Sequence, residues 1–479
     1  MLSFAKLEKD WMLRGWSDMP TVAVNWTTGE QRKLNGTAFY VAEHCNGETN
    51  FGSLAFLPEH QGVLQKLIDE GIAEECRQGD SIEGWQRYRK AANPRFSGIH
   101  WCITGHCNLN CRHCYMEAPE ARYGQLRFED MARLIDQFEQ ANVLEVVISG
   151  GEPFVRKDLL DIFQLLARKK IRVSEIYSNG LPISDAHLAR IKEMGFSPMF
   201  QISFDGVGCH DQMRGKAGIE QGVIDAIGRL RRAGFSVAVA TSVDEVNIAR
   251  LPDTYELLKR LDIQAWIVSA PVESGDWKGT KTAVSLDALA AAYEPLLIRW
   301  IEDNRPFAIF LGPIFRGRQG GSESGAVEAD PALGVEIQTH SKFTADSYDC
   351  GACREQPNLL PDGRLFPCPG YVDSLLQDQM PNLFQHELSS LWRQSLVRQL
   401  ADMKKRDLLA ANPGCAVCDN FEECGMGCRA VALRLTGQLM ARDPAHCELW
   451  RKGYKRRFRE LADRAAARHR EALAQPVSA

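Results

Sequence analysis

Three thiols confined to eight residues constrain this chain more than any other feature. Cys107, Cys111 and Cys114 stand at spacing C-x3-C-x2-C, directly after the apolar run Ile99 to Thr104. Three thiolates can hold three irons of a cubic [4Fe–4S] cluster and leave the fourth iron open to a small molecule. Such clusters are normally held by four cysteines, so a compact group of three suggests a cluster meant to bind something. The alternatives are a zinc site or three buried thiols. Zinc sites usually pair cysteines as C-x2-C with a distant second pair, and the triplet alone does not show that pattern.

The flanking residues sharpen the reading. Tyr115 follows the third cysteine, and a strand-like run from Val146 ends in Gly150-Gly151-Glu152-Pro153. Together these resemble the radical S-adenosylmethionine (SAM) superfamily, in which the open iron chelates the amino and carboxylate groups of SAM. Glycines let a backbone approach a ligand closely, and a carboxylate can accept from the methionyl ammonium.

Composition narrows the class. The 479 residues are too many for one ordinary core, so two or three domains are expected. A net charge of −5 carries no basic footprint for nucleic acid. There is no run of ~18 uncharged apolar residues and no secretory h-region at the N-terminus, so no membrane contact and a cytoplasmic location are expected. Fifteen cysteines in such a chain argue for metal rather than disulfides.

Residues 99–312 alternate strand-like and helical stretches. The strand-like runs are Ile99–Thr104, Leu144–Ser149, Val173–Ser178, Met199–Phe204, Val237–Thr241 and Ala265–Ser269. Phe128, Met131, Leu134, Ile135, Phe138 and Ala141 fall on one helical face between two of them. Six such units predict an α/β fold with a parallel sheet and right-handed crossovers. This resembles the partial (β/α)6 barrel of radical SAM enzymes, whose ligands sit at the C-terminal strand ends. Ser178 ends the third strand at the family's Thr-Asn-Gly position. Ser203 and Asp205 end the fourth, where period-two alternation turns them to the mouth to bond the ribose and methionyl carboxylate. Arg214 could pair bidentately with a carboxylate. The alternative for Asp205 is a turn aspartate before Gly206. Cys209 on the same rim is a candidate hydrogen-atom donor or a bystander. The resemblance thus implies SAM contacts at Tyr115, Gly150, Gly151, Glu152, Pro153, Ser178, Ser203, Asp205 and Arg214.

Residues 1–88 read as a separate small unit. Thr21–Trp26 is strand-like, a turn follows at Thr27–Glu30, and helices are expected over Leu34–Cys45 and near Pro58 to Glu70. The order resembles a winged-helix, PqqD-like element that grips the leader of a precursor peptide by strand addition, with Thr21–Trp26 as the edge strand. A unit that merely completes the fold is the alternative. Residues 313–349 are non-periodic and predict a linker or lid. Residues 450–479 predict a basic helix and a frayed tail.

Residues 350–449 hold the remaining cysteine groups, Cys353-x9-Gly363-x4-Cys368 and Cys415-x2-Cys418-x5-Cys424-x3-Cys428, then Cys447. This resembles the SPASM extension, which carries two auxiliary [4Fe–4S] clusters, and Cys350 supplies an eighth thiol. By the family's ligand order Cys350, Cys353, Cys368 and Cys428 hold one cluster, and Cys415, Cys418, Cys424 and Cys447 the other. A zinc ribbon is the alternative. The resemblance implies a peptide maturase with three [4Fe–4S] clusters and SAM, acting on a precursor peptide or small protein and reduced by a donor such as flavodoxin or ferredoxin. The expected product is a thioether or carbon crosslink. Formylglycine formation in a sulfatase and thioether formation in an amine dehydrogenase subunit are the rival activities, and a zinc-ribbon binding protein is the rival outside enzymes.

Overall fold

A computed structural model describes residues 3–53, 55–271, 274–280, 282–318 and 342–474. Among them one ten-stranded sheet dominates. Gly98–Cys102, Glu145–Ser149, Arg172–Ser178, Met199–Ser203, Val237–Ser242, Ala265–Ser269 and Ala308–Leu311 run parallel, each paired with the next. Six of these coincide with the strand-like runs. The seventh, Ala308–Leu311, extends the expected six-unit barrel. It is preceded by the helix Leu286–Glu302, which carries Pro295 in its interior.

The helices cover the outer face for the reason the periodicity gives. Phe128–Gln140 buries Met131, Leu134, Ile135 and Phe138, and Phe138 meets Trp101 edge-on at 5.0 Å. Odd and even strand residues therefore divide between an outer apolar layer and the barrel interior. The C-terminal region joins the same sheet. Asn358–Leu359 pairs parallel with Gly98–Cys102 and antiparallel with Leu365–Phe366. The helix Tyr454–Ala474 lies along Leu286–Glu302, with Arg457 paired to Glu294 at 2.6 Å.

At the N-terminal end, the strand Val22–Asn25 and the helices Gly36–His44 and Pro58–Asp69 form as their patterns suggest, and the short strand Ala73–Glu75 follows beyond the expected elements. Two expectations are corrected. Val22–Asn25 is not an edge strand: it lies between Trp11–Gly15 and Gln31–Lys33, and the latter forms the outer edge. The unit is also not packed as a separate body. Leu7, Trp11, Leu13, Val41 and Phe51 form its own cluster, but Met12, Trp16, Val22, Val24 and Trp26 belong to the barrel's buried cluster. Trp26 meets Phe196 edge-on at 6.5 Å, and Asn142 Nδ2 donates to the Gly15 carbonyl at 2.9 Å. Most of the expected linker or lid, residues 319–341, lies outside the described residues, as does the end of the tail.

Candidate active site

The cysteine triplet lies in a loop at the C-terminal end of the first barrel strand, and four neighbouring segments clamp it. The Gly-Gly-Glu turn is the first. Gly151 N–H donates to the Thr104 carbonyl at 2.8 Å and Glu152 N–H to the His106 carbonyl at 2.9 Å. A Cβ on Gly150 would lie 2.5 Å from Thr104 O, and one on Gly151 would lie 2.2 Å from His106 O. The two glycines are thus required by close approach of two protein backbones. Pro153 opens the turn Pro153–Val155 beyond them.

Glu152 forms the second brace. It is fully buried and accepts from Ser178 Oγ at 2.9 Å, Phe154 N–H at 3.1 Å and Asn179 N–H at 2.8 Å. Three of its roughly four acceptor positions are thereby used within the protein. Burial pushes this carboxyl up to about 7, against the pull of its three donors. Asn179 carries the connection onward, with Nδ2 donating to Asn108 Oδ1 at 2.8 Å beside Cys107.

The third clamp is the helix His210–Arg214. Arg112 N–H donates to the Met213 carbonyl at 3.1 Å, and Arg214 Nη1 donates to Cys111 Sγ at 3.6 Å. Arg214 also grips Asp205, Nε to Oδ2 at 2.6 Å and Nη2 to Oδ1 at 3.0 Å. The carboxylate that Arg214 pairs with is therefore Asp205 itself. Burial alone would raise the Asp205 carboxyl; Arg214, His113 and His210 more than offset it and hold it below the usual range. Asp205 is fully buried, and this pair engages both of its carboxylate oxygens. Gly275 and Asp276 make the fourth clamp, with Asp276 N–H donating to the Cys114 carbonyl at 3.1 Å.

Within the clamped loop the thiols are close enough to raise one another's pKa. Burial first, then Glu152, Cys111 and Cys114, push Cys107 up to about 12. Burial also raises Cys114, whose Sγ accepts from Ala118 N–H at 3.4 Å. Thiols so held bind metal by releasing protons. A cavity of about 500 Å³ opens beside Cys107, lined in part by His106, Arg127, Arg156 and Lys157.

The other expected residues are placed as follows. Tyr115 directs its hydroxyl to within 3.8 Å of Cys102 Sγ on the first strand. Ser203 ends the fourth strand opposite Ala240. Cys209 Sγ lies 3.7 Å from the Val246 carbonyl and beside Arg250 and Glu220. Arg250 and Glu220 stand at the starts of outer helices, which sets Cys209 on the outer ring of the mouth. His113 was not among the expected residues. Its Nδ1 is buried without a partner, it faces Trp277 at 6.5 Å, and burial holds it down to about 4. Its place between Cys111 and Cys114 was the available signal.

The C-terminal thiols gather in two sets. Cys353 contacts both Cys350 and Cys368, while Cys428 is raised to about 11 by burial with Cys368 and Cys350 nearby. Cys424 is likewise raised to about 11, with Cys447, Cys418 and Cys415 around it. Beside Cys350, Asp349 Oδ1 holds two buried cations, Lys405 Nζ at 2.7 Å and Arg429 Nε at 3.5 Å. Thiol-only donor sets suit iron–sulfur clusters. Among the described residues, no three His, Cys, Asp or Glu side chains form a site for a single ion, and no helix is long and apolar enough to cross a membrane.

A barrel whose strand ends hold a clamped three-cysteine loop defines an enzyme site. Residues 101–258 match the family model of the radical SAM superfamily, so the chain carries a radical SAM domain and is an enzyme. It is 27% identical to the AdoMet-dependent heme synthase of Nitratidesulfovibrio vulgaris over 74% of this chain and 92% of that protein. It is 24% identical to the PqqA peptide cyclase of Granulibacter bethesdensis, over 72% of this chain and 85% of that protein. Its fold matches Streptococcus suis SuiB bound to precursor peptide SuiA with a TM-score of 0.63 at 16% identity, covering 92% of this chain and 99% of that one.

Proposed function

We propose that this chain is a cytoplasmic radical SAM–SPASM maturase that modifies a ribosomally made peptide. The observation that carries the reading is the fold likeness to SuiB, which spans 92% of this chain and so reaches beyond the barrel. The PqqA peptide cyclase, a curated relative, acts on a peptide by name. Cys107, Cys111 and Cys114 would hold the SAM-binding cluster. Cys350, Cys353, Cys368 and Cys428 would hold one auxiliary [4Fe–4S] cluster, and Cys415, Cys418, Cys424 and Cys447 another. When bound and reduced by a flavodoxin or ferredoxin, the first cluster and SAM supply a 5′-deoxyadenosyl radical, which takes hydrogen from an unactivated C–H. The chain's own contribution is to hold the loop. Glu152, Asn179, Arg214 and Asp276 fix it against the strand ends, so the cysteines are presented in one geometry. Ser178, Ser203 and the turn from Gly150 to Pro153 remain our candidates around SAM. Glu152 contributes there through its one free acceptor position.

The substrate chamber would be the inner barrel surface, where Gln201, Ser203 and Tyr177 share a face with small residues. By pairing register, Ala238, Ala240 and Ala265 stand in the same rows on the neighbouring strands, which leaves room for a peptide side chain. The product we favour is a thioether or carbon crosslink. The heme synthase relative raises a second substrate class, a tetrapyrrole. Both are tested by anaerobic incubation of the reconstituted enzyme with SAM, dithionite and either a short peptide encoded beside its gene or an iron-porphyrin precursor. Peptide losing two hydrogens supports the proposal. Porphyrin conversion with unchanged peptide sinks it.

A further inference from the structure

Arg214 ends the helix His210–Arg214 with its side chain buried, and its guanidinium is shared between two groups. One edge, Nε and Nη2, grips the two oxygens of Asp205. The remaining nitrogen, Nη1, donates to Cys111 Sγ at 3.6 Å. Because a guanidinium is planar and rigid, pairing on one edge fixes where the third donor points. Asp205 is itself fixed. Its Oδ1 accepts from Ser242 N–H at 3.0 Å, its carbonyl accepts from Asn247 Nδ2 at 2.7 Å, and its N–H donates to His210 Nδ1 at 3.1 Å. The chain from the fifth strand through Asp205 to Arg214 thus ends on a sulfur.

The three thiols of the triplet are consequently not equivalent. Cys114 Sγ accepts a neutral backbone N–H from Ala118, and Cys107 lies against the Asn108 carboxamide oxygen at 3.9 Å. Cys111 alone of the three is paired with a cation, and it is the most enclosed of them. Hydrogen bonds to ligand sulfurs set iron–sulfur potentials. A charged donor is roughly twice as strong as a neutral one and favours added negative charge on its acceptor.

We propose that Arg214 is a positioning residue for the SAM-binding cluster: through Nη1 it stabilises the Cys111 thiolate and raises the cluster's reduction potential, with Asp205 holding its orientation. This rests on the reading of the triplet as a cluster site. The second cation of the neighbourhood, Arg112, points elsewhere, Nη1 to Asp244 Oδ2 at 3.4 Å and Nη2 to Thr282 Oγ1 at 3.2 Å, and supplies the control.

The test is an EPR-monitored redox titration of the full reconstituted chain, with the SAM-binding cluster identified by the change in its signal on adding SAM. Wild-type protein that shows no such SAM-sensitive signal removes the cluster reading itself, and this inference with it. Given that signal, Arg214→Gln should retain it at a midpoint potential below wild type. Arg214→Lys, which keeps the charge without the fork, should fall between the two. Arg112→Gln should shift the midpoint less than Arg214→Gln. An unchanged midpoint in Arg214→Gln overturns the inference while leaving the enzyme reading intact. So does an equal shift in Arg112→Gln, which would assign the effect to charge at a distance. Where Arg214→Gln does not retain the cluster, Arg214→Lys decides: a lowered midpoint supports the contact, and a wild-type midpoint overturns it.

Discussion

Glu152→Gln should change the stability of the barrel with a sign that depends on pH. The wild-type carboxyl is fully buried and titrates near about 7, where burial has moved it from an ordinary 4.5. A folded-state value above the unfolded one means that the folded protein binds the proton more tightly. Stability is therefore fully present below pH 4.5 and is lost as pH rises through 7. The rise from 4.5 to about 7, at ~1.36 kcal/mol per pH unit, amounts to about 3 kcal/mol. Glutamine does not titrate, so this loss disappears. It keeps one oxygen for two donors, but its amide cannot accept from Asn179 N–H, which stands 2.8 Å from the wild-type oxygen. A buried donor left unpaired costs about 1–3 kcal/mol. The variant should thus be less stable by that amount near pH 5, and equal to wild type or more stable near pH 8. From Gly98 to Gly317 the barrel spans 317 − 98 + 1 = 220 residues. At ~2.1 cal/mol/K per residue, the 3 kcal/mol difference is about 7 °C in Tm. Scanning calorimetry of metal-free wild type and variant from pH 5 to 8 reads it directly. Two profiles that run parallel across that range would refute the reasoning.

The remaining predictions concern the thiols and the peptide. Wild-type protein should carry roughly twelve irons from three cubanes, and replacing Cys107, Cys111 and Cys114 by Ala should remove about four and abolish 5′-deoxyadenosine formation; continued SAM cleavage by the triple variant refutes that assignment. Soluble Cys353→Ala or Cys415→Ala should still cleave SAM but fail to modify peptide, as read by mass spectrometry of peptide and nucleoside. Deleting residues 1–88 would strip Trp16, Val22 and Val24 from the barrel's core, so a point change is the cleaner probe of leader pairing. Leu34 N–H donates inward to the Thr21 carbonyl, and by alternation Lys33 N–H points outward. Lys33→Pro should therefore keep the fold and iron content while weakening binding of a labelled precursor at least tenfold, the loss of one strand-addition register. Unchanged affinity would place the leader elsewhere.

The barrel was legible because its strands and helices obey different periods over long stretches. Phe128, Met131, Leu134, Ile135 and Phe138 can face one way only on a helix, and the observed helix begins and ends within a residue of that pattern. What escaped was short or contrary to propensity. Gln31–Lys33 is three polar residues, too few to show alternation, and overlooking it made Val22–Asn25 look like an edge. Leu286–Glu302 hides its helical stripe behind Pro295. At the site, spacing pointed to the cysteines, but the partners of Arg214 and Glu152 did not follow from it. Asp205 and Arg214 are joined across a strand-to-helix turn, and Ser178 and Asn179 reach Glu152 from the neighbouring strand. Such pairings depend on sheet register, which local sequence does not encode. The close approach of Gly150 and Gly151 to the cysteine loop's own backbone escaped for the same reason.

The central claim is that this site takes a hydrogen atom from a peptide. It is tested most directly with a precursor peptide carrying deuterium at its non-exchangeable carbon positions. The reconstituted enzyme, SAM and dithionite are incubated with it anaerobically, and the isotopic mass of the 5′-deoxyadenosine is measured. The account predicts one deuterium per nucleoside, formed in step with a peptide that has lost two hydrogens. Deuterium-free 5′-deoxyadenosine, formed at the same rate with and without peptide, would contradict it.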